Sequence, residues 1–325
     1  IEEITIPDTV TIIEYSAFYN CKNLCKVDIP SSVTEIERDA FRECVNLKRI
    51  LIPDSVTDMG TYIFAGCSSL TEAKLPSKRK NITEGTFKDC VSLEKVNFPK
   101  TLECIRPYAF YNTKLSEAVL PESLTKIESY AFYNCDNLTK VELKNNLTEI
   151  GNYAFYDCDA LETIAIPDSV TTLGTYLFAE SELLSDVTLG TGITTIPSYA
   201  FNLCPSLKKI ILPYRVEKVN INAFTNCTAL TEITIPRATA AIADSVFSYP
   251  SRLTIYGISG TYAQAYADQI GATFVNKETK ATSVSFNKTE MKLIKGGKSK
   301  LVLRISPSDF TDQVSWKSTD TDVAA

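Results

Sequence analysis

The sequence predicts an α/β solenoid: a right-handed coil with a parallel β-sheet on one face and short 3₁₀ or helical returns on the other, followed by a partial all-β sandwich. A leucine opens each copy with a period of 23 residues, from Leu24 to Leu230. A phenylalanine recurs with the same period, except for one step of 22, at Phe18, Phe41, Phe64, Phe87, Phe110, Phe132, Phe155, Phe178, Phe201, Phe224 and Phe247. A fixed period of this length is typical of a solenoid, in which each copy buries its apolar face against its neighbours.

Within one copy the spacing of apolar residues predicts a short strand and a tight return. The apolar and polar residues of Val27-Asp28-Ile29 alternate with the two-residue period of a strand. Pro30 follows and is expected to end the strand, because proline has no N–H to donate to the sheet. Beyond Val33 the apolar residues lie three or four apart, which predicts a tight turn and a short 3₁₀ or helical return.

The pattern decays after Phe247 and divides the rest of the chain into three parts. The alanine-rich stretch Thr261–Ile270 predicts one helix, and Thr273–Val275 predicts a strand that covers the last open edge of the coil. The later segment has short alternating strands around Val284 and Leu303, and it stops after about half the length of a β-sandwich. The expected boundaries are about eleven repeats in 1–256, a C-terminal cap in 257–275, a polar linker in 276–281 and the partial sandwich in 282–325.

Composition and charge exclude several classes of function. The 33 basic and 39 acidic residues, without a long basic run, predict no nucleic-acid binding. No apolar run approaches 18 residues, so no membrane-spanning segment is expected. The chain begins at Ile1 with the repeat already in frame, and we expect it to be a piece of a longer protein.

Most of the ten cysteines occupy one position of the repeat. Metal ligands, a disulfide ladder and buried free thiols are three interpretations of this row. Stacked copies place the thiols in a line with parallel Cβ vectors, which favours free packing thiols. Cys25 and Cys104 lie at positions filled elsewhere by polar residues, and they are expected to be exposed and reactive. The eight cysteines of the row lie three residues after the phenylalanine, at Cys21, Cys44, Cys67, Cys90, Cys135, Cys158, Cys204 and Cys227.

The sequence contains few of the groups on which enzymes depend. It has no histidine, no phosphate-binding G-x-x-x-x-G-K-[ST] motif and no G-x-G-x-x-G motif. The carboxylates predicted on the strand face, such as Asp28 and Glu142, alternate with lysines and arginines, which is typical of a solvated face with weak ion pairs. No catalytic, cofactor-binding or metal-binding residues are therefore predicted.

Tyrosines give the one candidate binding site. A spacing of three places a pair from each of three consecutive copies on one side of the coil. These tyrosine pairs have two interpretations. They form an aromatic platform that binds a protein or a glycan, or their rings only pack along the wall of the coil. The alternative surface is the strand face, which has no row of uniform character. The six residues of the candidate platform are Tyr108, Tyr111, Tyr130, Tyr133, Tyr153 and Tyr156.

The repeat L-x-x-[IV]-x-[IL]-P-x-x-[VL]-x-x-[IL]-x-x-x-A-F-x-x-C, as in Leu24 to Cys44, resembles the BspA-like leucine-rich repeat family of bacterial surface proteins. The segment with Gly296-Gly297 and Trp316 is similar to the first half of a bacterial Ig-like group 2 domain. The resemblance implies a secreted or wall-attached module that binds proteins of a host or a neighbouring cell, extracellular matrix included. A structural spacer and a glycan-binding module are the alternatives, and a carbohydrate-active enzyme is a weaker one.

Overall fold

The computed structural model describes residues 1–277 and the backbone of two further strands, Ser283–Phe286 and Leu303–Ser306. Residues 1–277 form a parallel β-solenoid of twelve turns. Each turn contributes one strand to a first row of parallel strands, which we call the first sheet. Strands of neighbouring coils pair in parallel, as Ile4 with Val27, and this pairing is interrupted at four steps, the first between Lys26–Asp28 and Arg49–Leu51. The strands of the first sheet are Glu3–Thr5, Lys26–Asp28, Arg49–Leu51, Glu72–Lys74, Lys95–Val96, Glu117–Val119, Lys140–Glu142, Thr163–Ala165, Asp186–Thr188, Lys209–Ile211, Glu232–Thr234 and Thr254–Gly257.

A second parallel sheet of two-residue strands runs beside the first, and the sequence analysis did not predict it. Its neighbours also pair one coil apart, as Ile13 with Ile36. Two residues are too few to show an alternating pattern, so the strand has no sequence signature of its own. The strands of the second sheet are Ile12–Ile13, Glu35–Ile36, Asp58–Met59, Asn81–Ile82, Cys104–Ile105, Lys126–Ile127, Glu149–Ile150, Thr172–Leu173, Thr195–Ile196, Lys218–Val219 and Ala241–Ile242.

The predicted 3₁₀ or helical returns are wrong: residues 1–249 contain strands and turns and no helix. In the return of the second coil, the N–H groups of Asp39, Phe41 and Glu43 donate to carbonyls of the next coil at 2.8–3.0 Å. Asp39 and Glu43 also have φ of 56° and 61°, which interrupts any right-handed helix. The fold class is therefore a β-solenoid rather than an α/β solenoid.

The repeat phenylalanines form a single file along the core, as predicted. Each ring stacks on the ring of the next coil with centroids 5.0–5.8 Å apart, from Phe18 to Phe247. The rings from Phe41 to Phe224 are fully buried. Each copy thus shields the apolar side of its neighbour, which is how a solenoid is stabilised.

The single 22-residue step is absorbed in one return. Cys104 pairs with Asn81, 23 residues earlier, and with Lys126, 22 residues later, so the second sheet keeps its register across the short step. In the first sheet the strands on either side of this step, Lys95–Val96 and Glu117–Val119, do not pair with each other, and Glu117 pairs with Lys140 at the full period. The missing residue therefore changes the turn after Phe110 and leaves the pairing in the second sheet intact.

The segment after the repeats has the elements predicted for residues 257–275. A short 3₁₀ helix, Pro250–Arg252, precedes the last repeat strand. The helix spans Tyr262–Ile270 and ends at Gly271, whose φ of 71° suits glycine. The strand Thr273–Asn276 pairs in parallel with the last repeat strand and covers its open edge.

Beyond residue 277, Ser283–Phe286 and Leu303–Ser306 form an antiparallel pair. The predicted Gly296-Gly297 turn, the strand at Trp316, most of the linker and the rest of the Ig-like sandwich lie outside the described residues.

Candidate functional site

Six coils have a tyrosine two residues before the phenylalanine, and it occupies a strained backbone position. Tyr153 has φ of 56°, and the five others in this row range from 55° to 60°. Such left-handed geometry costs an ordinary residue about 1–2 kcal/mol. Gly85 fills the same position of another coil with φ of 58°. The position thus suits glycine, and a bulky residue persists there only because its surroundings hold it.

Ser16 and Asp39 adopt the same left-handed geometry without a ring, and their N–H groups, like that of Tyr153, donate to carbonyls of the next coil, so these hydrogen bonds hold the backbone. In five consecutive coils the rings at this position also stack. The rings of Tyr108, Tyr130, Tyr153, Tyr176 and Tyr199 stack in one column, with centroids 4.9, 4.7, 4.7 and 4.4 Å apart. We call this the long column. Stacked aromatic pairs contribute about 0.5–1.5 kcal/mol each beyond the area that they bury, which offsets the backbone cost.

A second, short column lies beside the first. Tyr111, Tyr133 and Tyr156 stack with centroids 4.7 Å apart at both steps. Within a coil, the ring of Tyr133 lies 5.7 Å from that of Tyr130, tilted by 41°. The structure therefore brings all six predicted tyrosines together.

The long and short columns together form the tyrosine face, which is larger than the predicted platform. Tyr176 and Tyr199 were not part of the predicted platform, although they share the position of Tyr153 in the repeat. They were left out because the platform was defined by pairs of tyrosines three residues apart, and the coils of Tyr176 and Tyr199 have Ala179 and Asn202 at the second position.

The stacking decides which parts of these rings can meet a partner. All eight side chains are half-buried. Because neighbouring rings cover each other, ring faces are free only at the ends of a column, and ring edges and hydroxyl groups form the rest of the surface. A sugar that stacks on a ring face therefore finds little room along the columns.

The two ends of the short column differ. At one end the Nζ of Lys88 lies 4.8 Å above the ring of Tyr111. At the other end the next coil has Ala179 where a tyrosine would continue the column, so Tyr156 is its last ring. The hydroxyl of Tyr156 bonds Glu180, and burial together with this carboxylate raises the pKa of Tyr156.

A group of carboxylates, which we call the acidic edge, lies beside Tyr156. It consists of Asp136, Asp157, Asp159, Glu180 and Glu182, from three consecutive coils. Four of them line one cleft. Within residues 1–277 none forms an ion pair. Burial, followed by repulsion from the neighbouring acids Asp159, Asp136 and Glu180, raises the pKa of Asp157 to about 6.

Seven of the eight cysteines in the row are buried, as predicted for packing thiols, Cys21 is half-buried, and the buried thiols also donate hydrogen bonds. The Sγ of Cys44, Cys67 and Cys90 donate to the phenylalanine carbonyls of the preceding coils at 3.1, 3.1 and 3.0 Å. Ser181 occupies the same slot and makes the same bond to Phe155 at 3.3 Å. A serine at this position of the repeat, Ser181, was the signal in the sequence that a hydrogen-bond donor fits the slot.

The expectation that Cys104 is exposed is wrong, since only 8% of it is accessible. Its thiol bonds the side chain of Glu128, which also forms an ion pair with Lys126 at 3.4 Å. Burial, assisted by the charge of Glu128, raises the pKa of Cys104 to about 11. Cys25 is half-buried rather than exposed.

The strand face has mixed character. Asp28 pairs with Lys26 at 2.9 Å and Glu142 with Lys140 at 2.7 Å, and both pairs are largely exposed. Leu51 is an isolated apolar residue, 58% exposed. The strand face thus has solvent-exposed ion pairs of alternating charge, and each pair contributes little to stability.

Residues 1–277 hold no group of three cysteine, aspartate or glutamate side chains placed to bind a metal ion. The helix Tyr262–Ile270 is nine residues long, and no helix in the described part is long and apolar enough to span a bilayer.

Comparisons with known proteins agree with this geometry. The family described as the BspA type leucine rich repeat region, in six copies, matches residues 1–116, 103–213 and 194–295. The search of curated proteins gave no match.

Solved structures resemble the chain over most of its length. A leucine rich cell surface protein of Faecalibacterium prausnitzii is 30% identical over 82% of this chain and 81% of its own, with a TM-score of 0.53. A leucine-rich repeat protein of Bacteroides ovatus is 27% identical over 86% and 84%, with a TM-score of 0.63. The pneumococcal vaccine antigen PcpA, 22% identical over 86% and 68% with a TM-score of 0.56, shares the fold.

Proposed function

Because this chain belongs to the BspA type leucine rich repeat family, we propose that it is a non-enzymatic protein-binding module on a bacterial cell surface, adhesin-like, with the tyrosine face as its binding site. The observation that carries the proposal is the tyrosine face itself, eight stacked and half-buried rings over five consecutive coils. Tyrosine offers a large contact area and a hydroxyl at a low cost in side-chain entropy, which makes it frequent in protein interfaces.

The nature of the partner follows from the stacking. A protein surface can contact ring edges and hydroxyls, whereas a glycan binds aromatic residues through ring faces that the columns use internally. A protein of a host or a neighbouring cell, extracellular matrix included, therefore fits better than a glycan. The relative from Faecalibacterium prausnitzii is described as a cell surface protein, which supports the proposed location.

The absence of histidine and the pairing of strand-face carboxylates with lysines support a function without catalysis. Turnover of any polysaccharide by the purified protein would contradict it.

The test is binding of the purified protein to immobilised extracellular-matrix proteins and glycans, measured by surface plasmon resonance. Changing Tyr111, Tyr133 and Tyr156 to serine removes the short column, which lies outside the strained positions. The matched control changes three tyrosines away from the columns, Tyr15, Tyr19 and Tyr249, which are 62%, 49% and 46% exposed. Near-ultraviolet circular dichroism and thermal unfolding verify that both variants fold.

Saturable binding of a protein that the short-column variant loses and the control keeps supports the proposal. Phenylalanine at the same three positions keeps the stack and removes the hydroxyls, so it shows which of the two the partner needs. Binding that is equal in all variants contradicts the assignment of the site. Serine at all six of the originally predicted positions extends the test to the long column.

A structural spacer is the second candidate, and one observation favours it. The columns and the phenylalanine file stack continuously from coil to coil, which suits a stiff rod whose tyrosines only pack. In-register deletion of two coils from the full-length protein on its cell would leave adhesion unchanged if this were its role. Loss of adhesion would favour the binding module.

A further inference from the structure

The charges around the tyrosine face are distributed unevenly along the axis of the solenoid. Toward the N-terminal end, the molecule's own cations cover tyrosine rings: Arg42 lies 5.9 Å from the ring centroid of Tyr62, and Lys88 lies 4.8 Å from that of Tyr111. Toward the C-terminal end lies the acidic edge, whose five carboxylates form no ion pair within the described residues 1–277. The short column thus has a cation of the molecule itself at its Tyr111 end and, within the described residues, unpaired carboxylates at its Tyr156 end.

The end of the short column provides a ring face beside these carboxylates. Tyr156 is the last ring, because Ala179 occupies the next position of its row. Its hydroxyl is held by Glu180, and the following residue, Asp157, belongs to the same cleft as Glu180. A ring face attracts a cation through its quadrupole, and nearby carboxylates strengthen that attraction.

The opposite end of the same column shows that this chemistry is used on this surface. Lys88 lies above the ring of Tyr111 and also pairs with Asp89, which precedes Asp157 by three coils in the same position of the repeat. A cation held by one ring face and one carboxylate at that position therefore occurs within the chain. The equivalent arrangement at Tyr156 has the ring and the carboxylates without the cation.

We propose that the tyrosine face binds a basic segment of a partner protein, whose lysine or arginine side chains lie against Tyr156 and the acidic edge. This inference rests on the proposed function and adds the charge of the partner. It disfavours anionic partners, such as sulfated glycans, because they would meet uncompensated carboxylates. Burial, together with repulsion from the neighbouring acids, raises the pKa of Asp157. A bound cation offsets the repulsion, so binding also promotes ionisation of this carboxyl.

The experiment uses hexaarginine as the probe, with hexaglutamate as the probe of opposite charge and heparin as the anionic glycan. Binding to the whole chain is measured by isothermal titration calorimetry at low and high ionic strength. The acidic-edge variant combines Asp157→Asn, Asp159→Asn and Glu180→Gln, which preserves side-chain size and removes repulsion. The matched control combines Glu117→Gln, Asp186→Asn and Glu232→Gln, three exposed carboxylates of the first sheet without ion pairs.

The expected result is saturable binding of hexaarginine that weakens about tenfold in the acidic-edge variant and by less than about twofold in the control. Tyr156→Leu keeps the apolar bulk and removes the ring face, and it should weaken binding about threefold or more. Binding should also weaken at high ionic strength. Neither hexaglutamate nor heparin should bind.

Four results would overturn the inference. An equal loss of affinity for hexaarginine in the acidic-edge variant and in the control would mean that only the net charge of the protein matters. The absence of hexaarginine binding to the wild type would contradict the cation site. A protein partner that needs the short column but binds the acidic-edge variant normally would leave the proposed function standing and remove the basic partner. If no immobilised extracellular-matrix protein needs the tyrosine face for binding, both the proposed function and the basic partner are contradicted.

Discussion

The thiol of Cys158 donates a hydrogen bond to the main-chain carbonyl of Phe132, 3.2 Å away and 26 residues earlier. The same bond recurs along the row, and Ser181 makes it with an oxygen donor. The cysteines are therefore small residues that both fill a slot and tie one coil to the next.

The first prediction separates these two roles at Cys67, which is fully buried. Cys67→Ser keeps a donor, whereas Cys67→Ala keeps an apolar group and loses the bond to Phe41. We expect the alanine variant to be less stable than the serine variant by about 1 kcal/mol in urea unfolding. If alanine is tolerated better than serine, the thiol acts only as an apolar filler. Ser181→Ala, which removes the corresponding bond elsewhere, is the control.

The second prediction concerns thiol reactivity. Burial raises the pKa of Cys44 and of Cys227 to about 12, so these buried thiols stay protonated at neutral pH. Cys21 and Cys25 are half-buried and accessible. Iodoacetamide labelling of the native protein at mildly alkaline pH, followed by peptide mass spectrometry, should modify Cys21 and Cys25 first. Early modification of Cys104 would contradict its burial.

The third prediction tests the strained tyrosine position. At Tyr153 both Gly and Ala lose the stack, but glycine relieves the left-handed backbone, so we expect the glycine variant to be more stable than the alanine variant by about 1 kcal/mol. Tyr156 is the matched control, because it lies in the same coil without positive φ. There alanine should be the more stable of the two. If the glycine and alanine variants have the same order of stability at Tyr153 as at Tyr156, the backbone at Tyr153 is not strained.

The fourth prediction concerns Asp157. Its pKa is about 6 in the folded protein and about 3.9 in an unfolded chain. Between these values the folded state binds the proton more tightly, so the contribution of this group to stability falls as pH rises from about 4 to about 6. Asp157→Asn should therefore stabilise the protein at neutral pH by about 1 kcal/mol, a figure reduced for partial exposure, and have no effect below about pH 4.

Thermal unfolding across this pH range measures the effect of Asp157→Asn. Asp186→Asn, at an exposed position of the first sheet, is the control and should change stability little at any pH. A variant at Asp157 that is less stable than the wild type at neutral pH would show that the carboxylate is stabilised rather than strained.

Side-chain pattern was sufficient for much of the candidate site. The spacing of Tyr130 and Tyr133 placed both on one side of a coil, and the structure has their rings 5.7 Å apart. The spacing of the tyrosines did not predict that each ring covers the ring of the next coil. This stacking leaves few ring faces on the surface. Ring orientation depends on the distance between coils and on the left-handed backbone at Tyr130, neither of which is encoded by residue spacing.

The amino-acid sequence by itself determined the period, the positions of the long strands, the buried file from Phe18 to Phe247 and the helix and strand after the repeats, because apolar residues at fixed spacing can be buried in only one way. Only the tertiary structure decided that the returns are turns with left-handed residues, that the thiols donate hydrogen bonds and that Cys104 is covered. In each case the hydrogen-bond partner or the covering side chain lies about one coil away along the chain. Such contacts exist only after the coils have stacked.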